Sequence, residues 1–94
     1  MTENILEKKY IRKGREVGSY ENSFYIQLGE SKGDVYELSP AVYYVWRMSN
    51  GNMTVQELIQ HASKELDIEE EKLRQPIIDI IEKLAEANLI EETK

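Results

Sequence analysis

VYELSPAVYYVWRMSNGNMTVQEL, residues 35–58, decides the fold of this chain. Val35-Tyr36-Glu37-Leu38 reads as a short strand, opened by a β-branched and an aromatic residue. Ser39-Pro40 then reads as a helix start. The serine offers an N-cap hydroxyl, and proline at the first helical position loses nothing by lacking an N–H. That helix is expected to reach about Met48 and to stop at a turn over Asn50-Gly51. Thr54 and Glu57 have the spacing of a capping box, which starts a second helix. Strand, helix, turn and helix follow with almost no slack, and none of them carries the pattern of an active site.

Upstream, two further runs have β character. Arg15–Tyr20 (REVGSY) is weakened by Gly18, which has no side chain to pack. In Phe24-Tyr25-Ile26-Gln27-Leu28 the residues Phe24, Ile26 and Leu28 alternate with Tyr25 and Gln27. Glu21-Asn22-Ser23 separates these two runs, and a turn over residues 29–34 precedes Val35. Connections this short favour an antiparallel meander, because parallel pairing needs a long crossover. Residues 1–13 show no clean period and are expected to form a loose arm.

Downstream the period is helical. Val55, Leu58, Ile59, Ala62 and Leu66 share one face of the second helix. Asp67 and Glu70 repeat the boxed start for a third helix ending near Asn88, a residue suited to a left-handed stop. On that helix Leu73, Ile77, Ile78, Ile80, Ile81, Leu84 and Ala85 cover roughly 160° of arc, wider than the ~100° an ordinary surface helix needs. Either both flanks are buried or one lines a groove. Pro76 falls inside the helix, so a kink is expected, or a regular part that begins near Gln75. The fold expected is α+β and winged-helix-like, a three-stranded antiparallel sheet followed by three helices. Its boundaries are a loose arm at 1–13, the domain at 14–91 and a tail at 92–94.

Composition narrows the chemistry. Ninety-four residues with 40% apolar content make one domain with a modest core. There is no cysteine, hence no disulfide and no thiolate metal site, which fits a reducing cytoplasm. The N-terminus lacks the layout of a signal peptide, and no apolar run approaches the ~18 residues needed to cross a bilayer. A cytoplasmic protein is expected. The net charge of −6 comes wholly from residues 51–94, since residues 1–50 carry equal numbers of acids and bases. Such a surface repels a phosphate backbone, so nucleic acid is disfavoured as a partner. The cluster Lys8, Lys9, Arg12, Lys13 and Arg15 reads as a solvated basic segment.

Individual residues say little of catalysis. His61 stands alone beside the apolar stripe of its helix, with no second metal-type ligand spaced to join it. Glu69-Glu70-Glu71 lies at a helix start, where carboxylates complement the helix dipole. Trp46 reads as core. Tyr43 and Tyr44 are adjacent and cannot share a face, so one is expected to be buried. No glycine-rich phosphate loop is present, and neither a catalytic residue nor a cofactor is assigned.

Three segments, IRKGREVGSYENSFYIQL at 11–28, DVYELSPAVYYVWRMSNGNMTVQELI at 34–59 and IIDIIEKLAEANLIEE at 77–92, stand in this order along the chain. Together they resemble the PqqD-like family of peptide chaperones, the precursor-peptide recognition elements of ribosomally made, modified peptides. The carrying features are the basic-glycine start, the Glu37-Leu38-Ser39 strand end, the aromatic helix to Trp46, the Thr54–Ile59 series and the close at Asn88-Leu89-Ile90. The chain departs from the pattern at Tyr43 and Tyr44, at Asn50-Gly51 in place of Asp-Gly, and at Pro76. The resemblance implies a non-catalytic adaptor that captures a precursor (leader) peptide as an extra strand and presents it to a modifying enzyme, commonly a radical-SAM enzyme. Val35, Tyr36, Glu37 and Leu38 would supply the strand edge, and Arg74, Ile77, Ile78 and Ile81 the helix wall. Two other classes stay open. One is a winged-helix DNA-binding regulator, for which the second helix offers Gln56, Gln60 and only Lys64. The other is an assembly subunit that holds a partner's tail in the same groove. A homodimer is compatible with all three.

Overall fold

A computed structural model of the chain describes residues 4–29 and 35–93. The meander forms as expected, with β2 at Arg15–Tyr20, β3 at Ser23–Gln27 and β4 at Val35–Leu38, antiparallel in the order β2-β3-β4. The turn expected over 29–34 lies outside the described residues apart from Gly29. In the register Phe24 faces Leu38 and Ile26 faces Tyr36, so these four share one side of the sheet. Ile26 and Leu38 are buried there. Val35 and Glu37 point to the opposite side with Tyr25 and Gln27. Strand β2 is exposed along its whole length, so the outer strand of the meander adds nothing to the core.

The loose arm is corrected. Lys9–Arg12 is a strand, β1, and it is the middle of a second antiparallel sheet. Its neighbours are β5, Asn50–Thr54, and β6, Ile90–Glu92. The expected Asn50-Gly51 turn is therefore the beginning of a strand, with Ile11 opposite Asn50. On the other side Tyr10 faces Glu92 and Arg12 faces Ile90. Acids of β6 also meet the basic segment, Lys8 at 3.5 Å from Glu92 and Lys13 at 3.2 Å from Glu91. The fold is α+β as expected, but with two three-stranded sheets where the sequence suggested one.

The helices follow from their caps. Helix α1, Pro40–Met48, begins after Ser39, whose hydroxyl makes no capping bond; proline and the extended serine backbone set the start. Helix α2, Val55–Leu66, has the full capping box: Thr54 Oγ1 accepts from Glu57 N at 3.1 Å, and Glu57 Oε1 accepts from Thr54 N at 2.9 Å. The boxed start expected at Asp67 and Glu70 is corrected. Asp67 is the left-handed C-cap of α2 (φ 56°), and helix α3, Glu70–Glu86, has Glu69 as an N-cap without a side-chain bond. The helix is assigned straight through Pro76, so its regular part does not wait for Gln75. It ends in a Schellman motif: Leu89 N donates to Leu84 O (2.9 Å), Asn88 N to Ala85 O (3.1 Å), and Asn88 takes φ 63°.

One core joins these parts. Val45 and Trp46 of α1, four residues of α2, Ile77, Ile81 and Leu84 of α3, and Leu89-Ile90 pack with Ile26 and Leu38. Trp46 is core, 3% exposed, and its indole N–H donates to the carbonyl of Lys13 at 3.1 Å. Ser49 is buried but satisfied, its hydroxyl donating to Val45 O at 2.8 Å. Neither Tyr43 nor Tyr44 is fully buried, which corrects the expectation for that pair. Tyr43 lies flat on Phe24 of β3 with ring centroids 3.9 Å apart, and Tyr44 turns the other way, its hydroxyl donating to Glu65 at 2.6 Å.

Candidate functional site

Strand β4 is an edge, because among the described residues it pairs only with β3. An edge strand offers unpaired N–H and C=O groups along one side. Val35 (46% exposed) and Tyr36 (38%) leave this edge open, whereas Leu38 (5%) anchors its end in the core. Tyr36 is on the core side of the sheet with Leu38, so an added strand would face one Tyr36-Leu38 side and one Val35-Glu37 side. The only charge on β4 is Glu37, whose carboxylate accepts a hydrogen bond from Ser23.

Ser39 connects β4 directly to α1, and the first residues of α1 enter an apolar hollow. It measures about 330 Å³ and lies between the three helices. Helix α1 contributes Pro40, Ala41, Tyr44 and Val45, α2 contributes Ala62 and Leu66, and α3 contributes Leu73, Pro76, Ile77 and Ile80. The proline in α3 does useful packing there, because it presents a ring to the hollow in place of a polar or longer side chain. Desolvation by the surrounding helices, followed by the bond to Glu65, pushes the Tyr44 phenol pKa up and keeps it neutral at the groove wall. A shallower depression across Pro40 and Tyr44 is floored by Phe24, Tyr43, Arg47 and Met48. A wider polar hollow around Asn4, Lys8, Gly51 and Thr93 is lined mostly by charged and polar groups, including the paired Lys8 and Glu92.

Of the wall residues inferred from sequence, only Ile77 lines the apolar hollow. Ile81 is buried at 1% exposure, Ile78 is half-buried and Arg74 is exposed. Spaced at roughly 100° per residue, Arg74, Ile78 and Ile81 lie on one flank of α3 and Leu73, Pro76 and Ile80 on the other. The wide apolar arc thus has a groove on one flank, and that flank is the Leu73-Ile80 one. Sequence reasoning missed Pro40, Ala41, Tyr44 and Pro76 as lining residues. Pro40 and Pro76 were legible only as capping and kinking chemistry, and Ala41 and Tyr44 carried no signal of what lies across the gap.

Other expectations can be placed as well. His61 is half-exposed, with Nε2 3.6 Å from Glu65 on the next turn. Among the described residues no group of acids and histidine could hold a metal ion, and no helix is long and apolar enough to cross a membrane. On α2 the Gln56 amide donates to Glu70 at 3.2 Å, which occupies one of the two candidate base readers.

Comparison with the curated proteins and with the solved structures returned no significant match. The family model described as coenzyme PQQ synthesis protein D (PqqD) matches residues 25–90, from the middle of β3 to the first residue of β6. That match spans the edge strand, all three helices and the groove between them, and the chain belongs to the PqqD family.

Proposed function

We propose that this protein is a non-catalytic peptide-binding adaptor of a peptide-modification pathway. It captures a precursor (leader) peptide by strand addition to the free edge of β4 and presents it to a modifying enzyme of the radical-SAM type. The observation that carries this reading is the junction of two features. An exposed strand edge at Val35–Leu38 runs through Ser39 into Pro40 and Ala41, which open the apolar groove. Backbone bonds to the edge give affinity without sequence preference, and a groove beside it selects side chains. The client is disordered beforehand, so ordering it offsets part of the contact energy and leaves capture reversible. Reversible capture suits a protein that hands its client on. Leu38, Ile77 and Ile81, being buried, serve by holding the strand end and α3 in place, while Val35, Tyr36, Glu37, Arg74 and Ile78 remain the residues offered for contact. The winged-helix comparison belongs to this reading too, as the arrangement in which a third strand and a third helix flank a peptide.

Val35→Pro tests the edge. Proline removes an N–H and cannot extend a ladder, yet an edge position tolerates it. Short encoded peptides retained from source-cell lysate on the immobilised wild type, identified by mass spectrometry, should be lost from the folded variant. Equal retention by a variant with wild-type circular dichroism counts against strand addition at this edge.

A further inference from the structure

Four strands lie at sheet edges among the described residues: β2 and β4 of the meander, β5 and β6 of the other sheet. Three of them are poor templates for a further strand. β2 carries a bulge, with Val17 left over between the pairs Glu16–Ile26 and Gly18–Tyr25. β5 spends residues 50–54 on the span that residues 9–11 cover in β1. β6 is three residues long. Bulges and short edges resist pairing with another chain. β4, by contrast, pairs with β3 without a register shift from Val35 to Leu38.

Which groups β4 turns outward follows from the hairpin beside it. Tyr20 pairs with Ser23 across the two-residue turn Glu21-Asn22, where Glu21 takes φ 54°. A pair that closes a two-residue turn exchanges both backbone bonds. Successive residues of a strand turn their N–H and C=O to opposite edges, so Ser23 and Tyr25 serve β2 while Phe24 and Ile26 serve β4. Phe24 faces Leu38 and Ile26 faces Tyr36, and these two residues of β4 therefore bond to β3. Val35 and Glu37 are left with N–H and C=O directed out of the sheet. Two donor-acceptor pairs, one residue apart, match the main chain of an extended peptide.

We propose that the client docks on β4 in a single antiparallel register, as an extended tripeptide whose two outer residues bond through N–H and C=O to Val35 and Glu37. Its middle residue turns its backbone away from β4 and lays an apolar side chain beside Tyr36, which is 38% exposed on the core side of the sheet. Proline is therefore admitted at the middle position and excluded at both outer ones. This register rests on the peptide-adaptor reading.

The test is amide hydrogen exchange, followed by NMR on the isotope-labelled full chain with and without peptide. In the free protein the Val35 and Glu37 amides are expected to exchange roughly tenfold faster than those of Tyr36 and Leu38. The probes are the peptides most enriched when a random library displayed on phage is panned against the immobilised chain. Each is resynthesised with one N-methyl group at every position in turn. Binding should slow exchange at Val35 and Glu37. A methyl group at either outer position should weaken binding roughly tenfold, and one at the middle position should leave it within about twofold. Faster exchange at Tyr36 and Leu38 in the free chain overturns the register, whatever the peptides do. The expected free pattern with peptides that leave Val35 and Glu37 unprotected, or a library without a binder, overturns strand addition at β4 and the adaptor reading with it. Protection of both amides, with methyl groups equally costly at all three positions, overturns the single register and leaves the adaptor standing.

Discussion

The two sheets of this molecule are equal in strand number and opposite in construction. The sheet β2-β3-β4 is assembled from one continuous stretch of chain, residues 15–38. The sheet β5-β1-β6 gathers residues 9–12, 50–54 and 90–92, and Thr93 reaches back to the carbonyl of Lys9. Their burial differs strand by strand. The local sheet leaves its outer strand β2 exposed throughout while β3 and β4 bury Ile26 and Leu38; in the long-range sheet β6 buries Ile90, at 2% exposure, and β1 and β5 bury no residue fully. Pairing close in sequence closes small loops at small entropic loss, so it forms without much help from packing. Pairing across the whole chain closes large loops and has to be held by the core it joins.

That contrast is most easily broken at Ile90. Ile90→Ala removes a buried branched side chain from the strand that joins the C-terminus to β1, and should destabilise the protein by about 2–5 kcal/mol. Val17→Ala on β2, at a side chain 46% exposed, should stay within about 0.5 kcal/mol. Urea unfolding of both variants measures the pair. Equal losses would mean that β2 contributes to the core after all.

The same contrast explains what could be read from the sequence. The meander was legible because alternation in Phe24-Tyr25-Ile26-Gln27-Leu28 and its short flanking connections are local signals. So was the α2 start, because Thr54 and Glu57 complete each other within one turn. Strand β1 was not legible. Lys9-Tyr10-Ile11-Arg12 has no alternation of its own, and its partners are about 40 and 80 residues away. The groove fell between these cases. The wide apolar arc of α3 announced that one flank faces something, but only the packing of α1 and α2 chooses the Leu73-Pro76-Ile80 flank. Tyr43 and Tyr44 are a similar case: adjacency said that they part company, and tertiary contacts with Phe24 and Glu65 decided how.

Gly14 joins the two sheets, one residue after Lys13 and one before β2, and it sharpens the comparison at the next level of effect. Its φ is +83°, and a Cβ there would stand 2.7 Å from the carbonyl oxygen of Gln27 and 3.0 Å from Leu28 Cδ2. Both the backbone conformation and the close approach require glycine. Gly18, inside the exposed strand, has no heavy atom within 4 Å of a built Cβ. Gly14→Ala should lower stability by roughly 1–3 kcal/mol. Gly18→Ala should be neutral or raise it by about 0.4–1 kcal/mol through the unfolded chain. Melting temperatures moving down at position 14 and flat or up at position 18 would meet both expectations, and a loss at position 18 would show β2 to be constrained.

A proton-dependent bond in each sheet also ties it to a helix, and these two ties should fail at opposite ends of the pH scale. The exposed β2 is tied to α1 by Tyr43, whose hydroxyl donates to Glu16 at 2.7 Å while Arg47 stands 3.2 Å away. The bond to Glu16 and then burial raise the phenol pKa, against a lowering by Arg47. A raised folded value means that the contribution is complete below the ordinary phenol pKa of about 10 and is lost as pH climbs through the folded one. Tyr43→Phe should therefore cost about 1 kcal/mol or less near neutrality. The gap from the wild type should close in alkali, and the absence of any gap near neutrality would locate the stabilisation in the ring stack on Phe24, which the variant keeps.

The long-range sheet has the acid-labile tie. Thr54 ends β5, pairs with Lys9 of β1 and caps α2, so Glu57 at the third helical position closes a box that belongs to strand and helix at once. The Thr54 backbone N–H donates to the Glu57 carboxylate and is the main cause of its lowered pKa, opposed by desolvation and aided by the Thr54 side chain and the charge of Lys9. For a carboxylate depressed on folding, the contribution is present above its unfolded pKa and disappears as pH falls through the folded one. Glu57→Gln keeps the acceptor oxygen for Thr54 but removes the charge that Lys9 feels, so near neutrality its effect should be the smallest of the set. As pH falls through the acid range the wild type should lose stability faster than Glu57→Gln, until the two melting curves coincide. Parallel acid profiles would show that the box holds by geometry alone and that the charge between β1 and α2 is incidental. Converging profiles would show that even the sheet built by long-range packing is fastened locally at the one place where its strand becomes a helix.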